Sequence, residues 1–267
     1  MKTSADKSKR YLKLIWLYLK VNFLRALEYR VDFFTSLFPA GFYFLSYILF
    51  INAIFGKVPI ISGWSFDRLL VLFSVSQLSY YSAWFFYRDG LRSFSESINT
   101  GGFDSLVKLP INTRFVTSFR EQSLNMVIPL LLAIVTFLYA LGKIRWNFAS
   151  LGVFAILFLC GLIILYNFLF ILASLSFWII EGEELMNLSE EIIAFGRYPK
   201  EIFPTGMALF LLIIVPALLM VYVPATALLG ILDWKLALVS ILMVFVTYFI
   251  SEFVWQKGLR KYSSASS

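Results

Sequence analysis

Polar and aromatic side chains that could bind a ligand stand inside otherwise aliphatic stretches of this sequence. Tyr80, Tyr81 and Trp84 follow Gln77 by three, four and seven residues, and this spacing places all four on one face of a helix. Such a face suits amphipathic or cationic ligands, through stacking and cation–π attraction. The same groups often hydrogen-bond a neighbouring helix instead, and that alternative stays open. The candidates for a substrate path are Gln77, Tyr80, Tyr81 and Trp84 on this face, with Asn125, Tyr166 and Asn167 elsewhere.

The residue types that usually carry enzyme chemistry are scarce. There is no histidine, and the single Cys160 excludes a disulfide framework and a zinc cluster. The sequence also lacks a phosphate-binding loop and a nucleophile elbow. We therefore expect no catalytic residue, no bound metal and no cofactor in this chain.

The composition is typical of a protein embedded in a membrane. Of the 267 residues, 60% are hydrophobic and only 15% are charged, and the mean hydropathy is +0.81. The net charge of +7 is spread between long apolar runs and not over an aromatic, solvated surface, so nucleic acid is not an expected partner. The expected partner is the lipid bilayer.

Stretches without charge define the spans. A helix needs about 20 apolar residues to cross the hydrocarbon core, and six stretches qualify, which predicts an all-α integral membrane fold with six transmembrane helices. Prolines 204, 216 and 224 interrupt the fifth, so we expect a break near Pro216 and a re-entrant element at 222–232. The predicted spans are residues 33–55, 69–87, 122–142, 149–180, 203–221 and 236–256.

The placement of lysine and arginine predicts the orientation. Most of them fall in the N-terminal segment, the loops 88–120 and 181–201, and the C-terminus, which six spans put on one side. By the positive-inside rule that side is the cytoplasm. We expect no cleaved signal peptide before these spans. The few basic residues on the outer side would be Lys57, Arg68, Lys143, Arg145 and Lys235.

The segment 5–30 precedes the first span and carries too many charges to cross. Lys9, Lys13 and Lys20 share one helical face, with apolar residues such as Trp16 elsewhere. We interpret it as an amphipathic helix in the cytoplasmic headgroup region. A basic tail without a defined helix is the alternative.

The cytoplasmic segment 98–112 predicts a short exposed helix between two spans. Gly101 and Gly102 end the preceding helix, Asp104 caps a new one, and Pro110 limits that helix to about two turns. A protrusion joined rigidly to two spans is what a motor protein would need to move them. An ordinary loop is the alternative.

These motifs resemble the permease subunits of ABC-2 type exporters, in the branch formerly catalogued as a family of unknown function. The resemblance covers about residues 10–260 and is carried by three groups of residues in order. One departure is Leu109 before the proline, where relatives commonly have a basic residue. The groups are Gly102-Phe103-Asp104 to Pro110-Ile111-Asn112, then Arg197-Tyr198-Pro199, then Pro216 with Tyr222-Val223-Pro224-Ala225.

The resemblance implies a half-transporter with an N-terminal elbow helix, a coupling helix between spans two and three, and a re-entrant element. It also implies two copies of a separate ATPase that bind ATP and magnesium, and a second permease, identical or related. The location implied is the inner membrane of a prokaryote, with both termini cytoplasmic. The ATPase-coupling residues would be Asn99, Gly101, Gly102, Phe103, Asp104, Lys108, Pro110 and Asn112, and the structural ones Arg197, Tyr198, Pro199, Pro216 and Pro224.

Charged residues outside these motifs leave other interpretations open. Loop 181–201 carries six acids and is read as a solvated face, with Arg197 pairing an acid such as Glu191. Glu252, near the inner end of the last span, is read as a headgroup-level charge beside Lys257. An intramembrane enzyme acting on a lipid-linked substrate would need the acids of 181–201 for catalysis, and a non-catalytic scaffold is a third possibility.

Overall fold

The structure is a computed structural model that describes residues 4–28, 37–179 and 182–262. The described residues are almost entirely helical, and apart from one bridge between Ile61 and Trp64 they contain no extended pairing. The all-α prediction is thereby confirmed. The ends of the predicted N-terminal helix and first span, at 29–30 and 33–36, lie outside the described residues.

Thirteen α-helices run through these ranges, joined by short turns of 3₁₀ helix and one turn of π-helix at Trp84–Arg88. In chain order they are α1 (Ser4–Glu28), α2 (Leu37–Phe55), α3 (Phe66–Ala83), α4 (Asp89–Thr100), α5 (Phe103–Val107), α6 (Thr113–Phe119), α7 (Val127–Leu141), α8 (Phe148–Ser174), α9 (Gly182–Ile193), α10 (Thr205–Ile213), α11 (Ala217–Met220), α12 (Tyr222–Leu228) and α13 (Trp234–Lys261).

Within the described ranges, five helical segments are long and apolar enough to cross a membrane, and a bent pair, if counted as one span, raises the number to six. In the second, α3, the π-helical turn and α4 form one helix of 35 residues, so it extends well beyond the predicted 69–87. The five segments are Phe38–Phe55, Phe66–Thr100, Leu124–Leu141, Phe148–Phe177 and Trp234–Lys261.

Helix α8 lies at the centre of the molecule. It packs against α13, α12 and α9, and its buried side chains join the main hydrophobic core. Gly161 allows the closest approach, because a Cβ at this position would stand 2.6 Å from the Met220 carbonyl oxygen. A second, smaller core joins α2, α3 and α7, where the rings of Tyr47 and Phe73 stack 3.8 Å apart. Large apolar side chains on the outer faces of these helices stay exposed, as expected for contact with lipid.

The end of the molecule that carries residues 98–112 is called the basal end here. Phe177 after α8 and Tyr262 after α13 both contact Phe103 at this end. The chain therefore leaves α8 at the basal end, and α13 starts from the opposite end. Residues 178–233 must accordingly travel the length of the molecule.

The predicted fifth span, residues 203–221, is not a single helix. Its residues form α10, α11 and the connecting turns, and the pieces Thr205–Ile213 and Ala217–Leu228 meet at an angle of 66°. The break falls just before Pro216, where a missing backbone N–H and a steric clash end a helix. The structure thus has the break that the sequence predicts near Pro216, and the crossing at 203–221 stays a prediction.

The segment 181–201, predicted to be a cytoplasmic loop, runs antiparallel to α3 where it is described. Near the basal end, Glu190 accepts hydrogen bonds from Arg88, which follows α3. At the other end, the indole of Trp64, which precedes α3, donates to Glu201 at 3.0 Å. Trp64 lies in a loop predicted on the outer side, and no hydrogen bond reaches across about 30 Å of hydrocarbon. The prediction that Trp64 lies outside and the prediction that the whole segment 181–201 is cytoplasmic therefore exclude each other.

Candidate functional site

The protrusion at the basal end is a short helix anchored by one aromatic side chain. α4 ends at Gly101, whose φ of 78° is the left-handed conformation that glycine adopts at helix ends. α5 follows, and its first residue, Phe103, is fully buried among Phe94, Phe177 and Tyr262. The protrusion is thus fixed to α4, to the turn after α8 and to the end of α13.

Asp104 has a different role from the predicted one. No side chain caps α5, whose N-cap position is Gly102. Asp104 instead accepts a hydrogen bond from the Tyr262 hydroxyl at 3.0 Å, which ties the protrusion to the residue after α13. Burial and this hydrogen bond raise the pKa of the Tyr262 phenol. The predicted cap at Asp104 is therefore not formed. The next helix, α6, does have a side-chain cap: Asn112 accepts a hydrogen bond from the Phe115 amide.

The tip of the protrusion is exposed. Val107 and Leu109 are apolar and 47% and 39% exposed, and Lys108 and Pro110 between and beside them are exposed too. We call residues 107–110 the tip. Asn99, at the end of α4, is exposed as well but interacts with neighbouring groups.

α1 lies along the base of the protrusion. Arg10 donates to the Pro110 carbonyl at 3.2 Å, and the ring of Tyr11 meets that of Phe115 edge to face. Farther along, the buried Asn22 donates to the Gln122 side chain at 2.6 Å. The face of α1 that points away from the protein carries exposed apolar side chains, among them Trp16, which is 68% exposed.

The helix after the protrusion inserts an arginine into the core. Arg114 of α6 donates to Glu252 of α13 at 3.1 Å and to Asn167 of α8 at 2.9 Å. It also donates to Ser251 at 2.9 Å, and its guanidinium lies over the Phe170 ring at 4.2 Å from the centroid. The Arg114 side chain is only 12% exposed. One side chain therefore connects α6 to both α8 and α13, and we call this set the Arg114 cluster.

Close packing supports the same junction. A Cβ at Gly90, on α4, would stand 2.5 Å from the Ser118 carbonyl oxygen of α6. Only glycine lets these two backbones lie so close. α4 and α6, the helices on either side of the protrusion, consequently form one unit.

A first cavity, of about 410 Å³, lies midway along α3. Gln77, Tyr80 and Tyr81 form one wall, and α9 with the turn after it forms the facing wall. Arg197 on that wall donates to the Tyr43 hydroxyl at 2.7 Å, and no ion pair with Glu191 forms. We call this space the tyrosine cavity; its lining is Tyr43, Ser76, Gln77, Tyr80, Tyr81, Glu190, Glu191, Ala194 and Arg197.

A second cavity, of about 440 Å³, lies nearer the basal end. It is bounded by the π-helical turn, the first half of α4 and the segment that leads into α7. Its lining is mostly charged or polar, with bases and acids interleaved. We call it the basal cavity; its lining is Trp84, Arg88, Asp89, Arg92, Ser93, Glu96, Glu121, Asn125 and Met126.

The predicted path residues are divided between these places. Gln77, Tyr80 and Tyr81 line the tyrosine cavity, while Trp84 and Asn125 line the basal cavity. Asn167 lines neither cavity and belongs to the Arg114 cluster. For this residue the alternative applies, in which a polar side chain hydrogen-bonds a neighbouring helix.

At the end opposite the basal end, Glu201 accepts from both Trp64 and Tyr222, at 3.0 and 2.6 Å. This carboxylate joins the loop before α3 to α12. The neighbouring Tyr198 and Pro199 line a small apolar cavity of about 130 Å³ against α2. Tyr198 and Pro199 thus serve a packing contact there, whereas Pro216 and Pro224 lie at the break before α11 and within α12.

Three charged residues of these sites are absent from the sequence-based assignment. Arg88 and Arg114 look like ordinary basic residues at the ends of spans, and Glu190 looks like one acid among six. Glu252 does not pair with Lys257, which lies over the Phe253 ring, but with Arg114. The sequence does contain a signal for the Arg114 cluster. Asn167 and Glu252 are polar residues in apolar helices, and each requires a partner there.

Comparison with known proteins identifies the class to which this architecture belongs. The sequence model of the family described as ABC-2 family transporter protein matches residues 42–266, most of the chain. The chain therefore belongs to the ABC-2 transporter family. It is a multi-pass membrane protein with the role of a permease, a transport component. No curated protein matches the chain.

Proposed function

We propose that the chain is half of an ATP-driven exporter, coupled to a separate ATPase subunit through the tip. The observation that carries this proposal is an exposed tip on a rigidly anchored base. Val107 and Leu109 offer apolar contact, Lys108 offers a charge, and Phe103 and Asp104 hold the base to α4 and Tyr262. A load applied at the tip is passed to the helices and not absorbed by a flexible loop.

The partners follow from membership of the family. Two copies of an ABC ATPase bind ATP and magnesium below the membrane, and a second permease, identical or related, completes the path. The exposed apolar outer faces provide surface for lipid and for that second permease. This chain needs no nucleotide site of its own.

We propose six crossings in a prokaryotic inner membrane, with both termini and the basal end in the cytoplasm. The fifth crossing is the described segment 182–202, and α10 to α12 form the re-entrant element. The contacts of Glu190 with Arg88 and of Glu201 with Trp64, at opposite ends of α3, support this arrangement. α1 is the elbow helix, with Trp16 toward lipid and Asn22 toward the protein.

The Arg114 cluster transmits motion from the tip. When the ATPase pushes the protrusion, α4 and α6 move together because they are packed at Gly90. Arg114 then displaces α8 and α13, to which it is bonded. These displacements open and close the space along α3, where the two cavities lie.

The test is recovery of an ATPase with the purified chain. Each ABC ATPase of the same cell is co-expressed with the tagged chain, and the complex is purified in mild detergent and assayed for ATP hydrolysis. Lys108→Glu reverses an exposed charge at the tip and is expected to lower the recovered ATPase about tenfold.

The matched control is Lys143→Glu, an exposed lysine at the opposite end of α7. It is expected to recover as much ATPase as the unaltered chain. The proposal fails if no ATPase is recovered with the unaltered chain, or if the two variants recover equal amounts.

A further inference from the structure

Two side-chain contacts join the wall of one cavity to the wall of the other. Arg88, from the wall of the basal cavity, donates to Glu190, from the wall of the tyrosine cavity, at 2.7 and 2.9 Å. In the same way the ring of Trp84 in the basal cavity stacks on Tyr80 in the tyrosine cavity, with centroids 3.8 Å apart. Each contact joins one wall to the other, so separating both would unite the two cavities.

Both contacts involve the π-helical turn Trp84–Arg88. A π-helical turn interrupts the regular hydrogen bonding of an α-helix and is frequently found where a helix must function. Arg88 also has an alternative partner on its own helix, since its guanidinium lies 3.3 Å from Asp89. Arg88 can therefore separate from Glu190 and still keep Asp89 as a carboxylate partner.

Withdrawal of Arg88 would leave an anionic pocket with aromatic walls. Glu190 and Glu191 then lie in one cavity with Tyr80 and Tyr81. Their two negative charges exceed the single positive charge of Arg197, which donates to the Tyr43 hydroxyl. Carboxylates beside aromatic faces bind cations that carry apolar groups. In the closed arrangement Arg88 occupies the cation position itself, 5.5 Å from the centroid of the Trp84 ring.

We infer that Arg88 and Glu190, with Trp84 on Tyr80, close a passage between the cavities, and that the cargo carries a cationic group on an apolar body. That cationic group replaces Arg88 at Glu190 as the passage opens. The inference rests on the proposed export function, of which it specifies the cargo chemistry and the gate.

The cargo chemistry is tested by binding to the purified full chain in lipid nanodiscs. The probes are tetraphenylphosphonium and the neutral triphenylphosphine oxide. Glu190→Gln is expected to weaken binding of the cation about tenfold, as loss of a charged partner does. Arg88→Gln is expected to strengthen it, because the tethered competitor is gone. A folding defect would not move the two variants in opposite directions.

The matched control is Glu184→Gln, an exposed acid on α9 that lines neither cavity, which is expected to bind the cation like the unaltered chain. Cation binding that both Glu190→Gln and Arg88→Gln leave unchanged, or equal binding of the neutral probe, overturns the cargo assignment.

The gate is tested by thiol labelling, which needs no ATPase. In a chain with Cys160→Ser, Ser76→Cys reports on the tyrosine cavity and Ser93→Cys on the basal cavity. The probe is anionic sulfonatoethyl methanethiosulfonate, applied to the cytoplasmic face in inside-out vesicles. Arg88→Gln is expected to speed labelling at position 76 about tenfold and not to speed labelling at position 93.

An anionic reagent is chosen because removing Arg88 lowers its electrostatic attraction, so faster labelling reports an opened passage. Labelling at position 76 that is equally fast with and without Arg88 overturns the gate. This result is independent of ATPase recovery, so the inference and the proposed function can fail separately.

Discussion

At the scale of single residues, the functional chemistry depends on how charges are paired inside an apolar protein. Arg114 satisfies Glu252, Asn167 and Ser251 at once, and Arg88 satisfies Glu190. A buried charge is tolerated only when it is paired and hydrogen-bonded. The sequence identifies the aromatic half of the cavities because Gln77 and its neighbours repeat at helical spacing, but it cannot identify ion pairs between residues about a hundred positions apart.

We expect Arg114→Leu to weaken the fold and the coupling together. The substitution removes the hydrogen bonds of Arg114 to Tyr166, Asn167, Ser251 and Glu252. It leaves Asn167 buried with two weak contacts at 3.4 Å, to Thr247 and Ser251. The cost is about 1–3 kcal/mol of unfolding free energy, seen as a lower midpoint of thermal unfolding in detergent.

Arg145→Leu is the comparison, since Arg145 is exposed and no ion pair is described for it. Its midpoint should stay close to that of the unaltered chain. Equal midpoints for the two variants would contradict the importance given to the Arg114 cluster.

At the scale of elements, the length of a stretch without charged residues predicts the apolar helices well. The same criterion does not identify a crossing segment that carries charges, such as the one we propose at 182–202. α2, α3, α7, α8 and α13 coincide with long uncharged stretches, because crossing hydrocarbon requires them. The segment 182–202 escapes this criterion, because it carries Glu190, Glu191 and Arg197. All three line a cavity, and Glu190 and Arg197 are met by Arg88 and Tyr43. The cost of these two charges in an apolar environment is thus offset by partners that only the folded chain supplies.

Glycines distinguish a packed crossing from a free surface. Gly90→Ala places a Cβ against the Ser118 carbonyl and should destabilise the chain by about 1–3 kcal/mol. Gly152→Ala, in α8 with no neighbour within 4 Å, should stabilise it by about 0.5–1 kcal/mol, because alanine favours the helix. The two shifts are measured as thermal midpoints in detergent.

The opposite signs are the distinguishing result. If Gly90→Ala is as stable as the unaltered chain, α4 and α6 are not packed as described. Transmission from the tip through that contact would then have to be abandoned.

At the scale of the whole molecule, the account joins a basal tip, a cluster that links three helices, and two cavities in series along α3. The basal end also holds Tyr262, so the last helix ends where the protrusion begins. The sequence predicts six crossings, and the described residues hold five candidate spans, or six if the bent pair is one span. In the arrangement that we propose, the fifth crossing moves from 203–221 to 182–202. Glu190, Glu191 and Arg197, which line the tyrosine cavity, then belong to a crossing segment.

The sidedness of the segment 182–202 tests this account most directly. In a chain with Cys160→Ser, the variants Glu184→Cys and Lys200→Cys are treated with a membrane-impermeant maleimide, in intact cells and after permeabilisation. The account predicts that position 200 is labelled in intact cells and position 184 only after permeabilisation. Labelling of both positions only after permeabilisation, as a cytoplasmic loop at 181–201 requires, would contradict it.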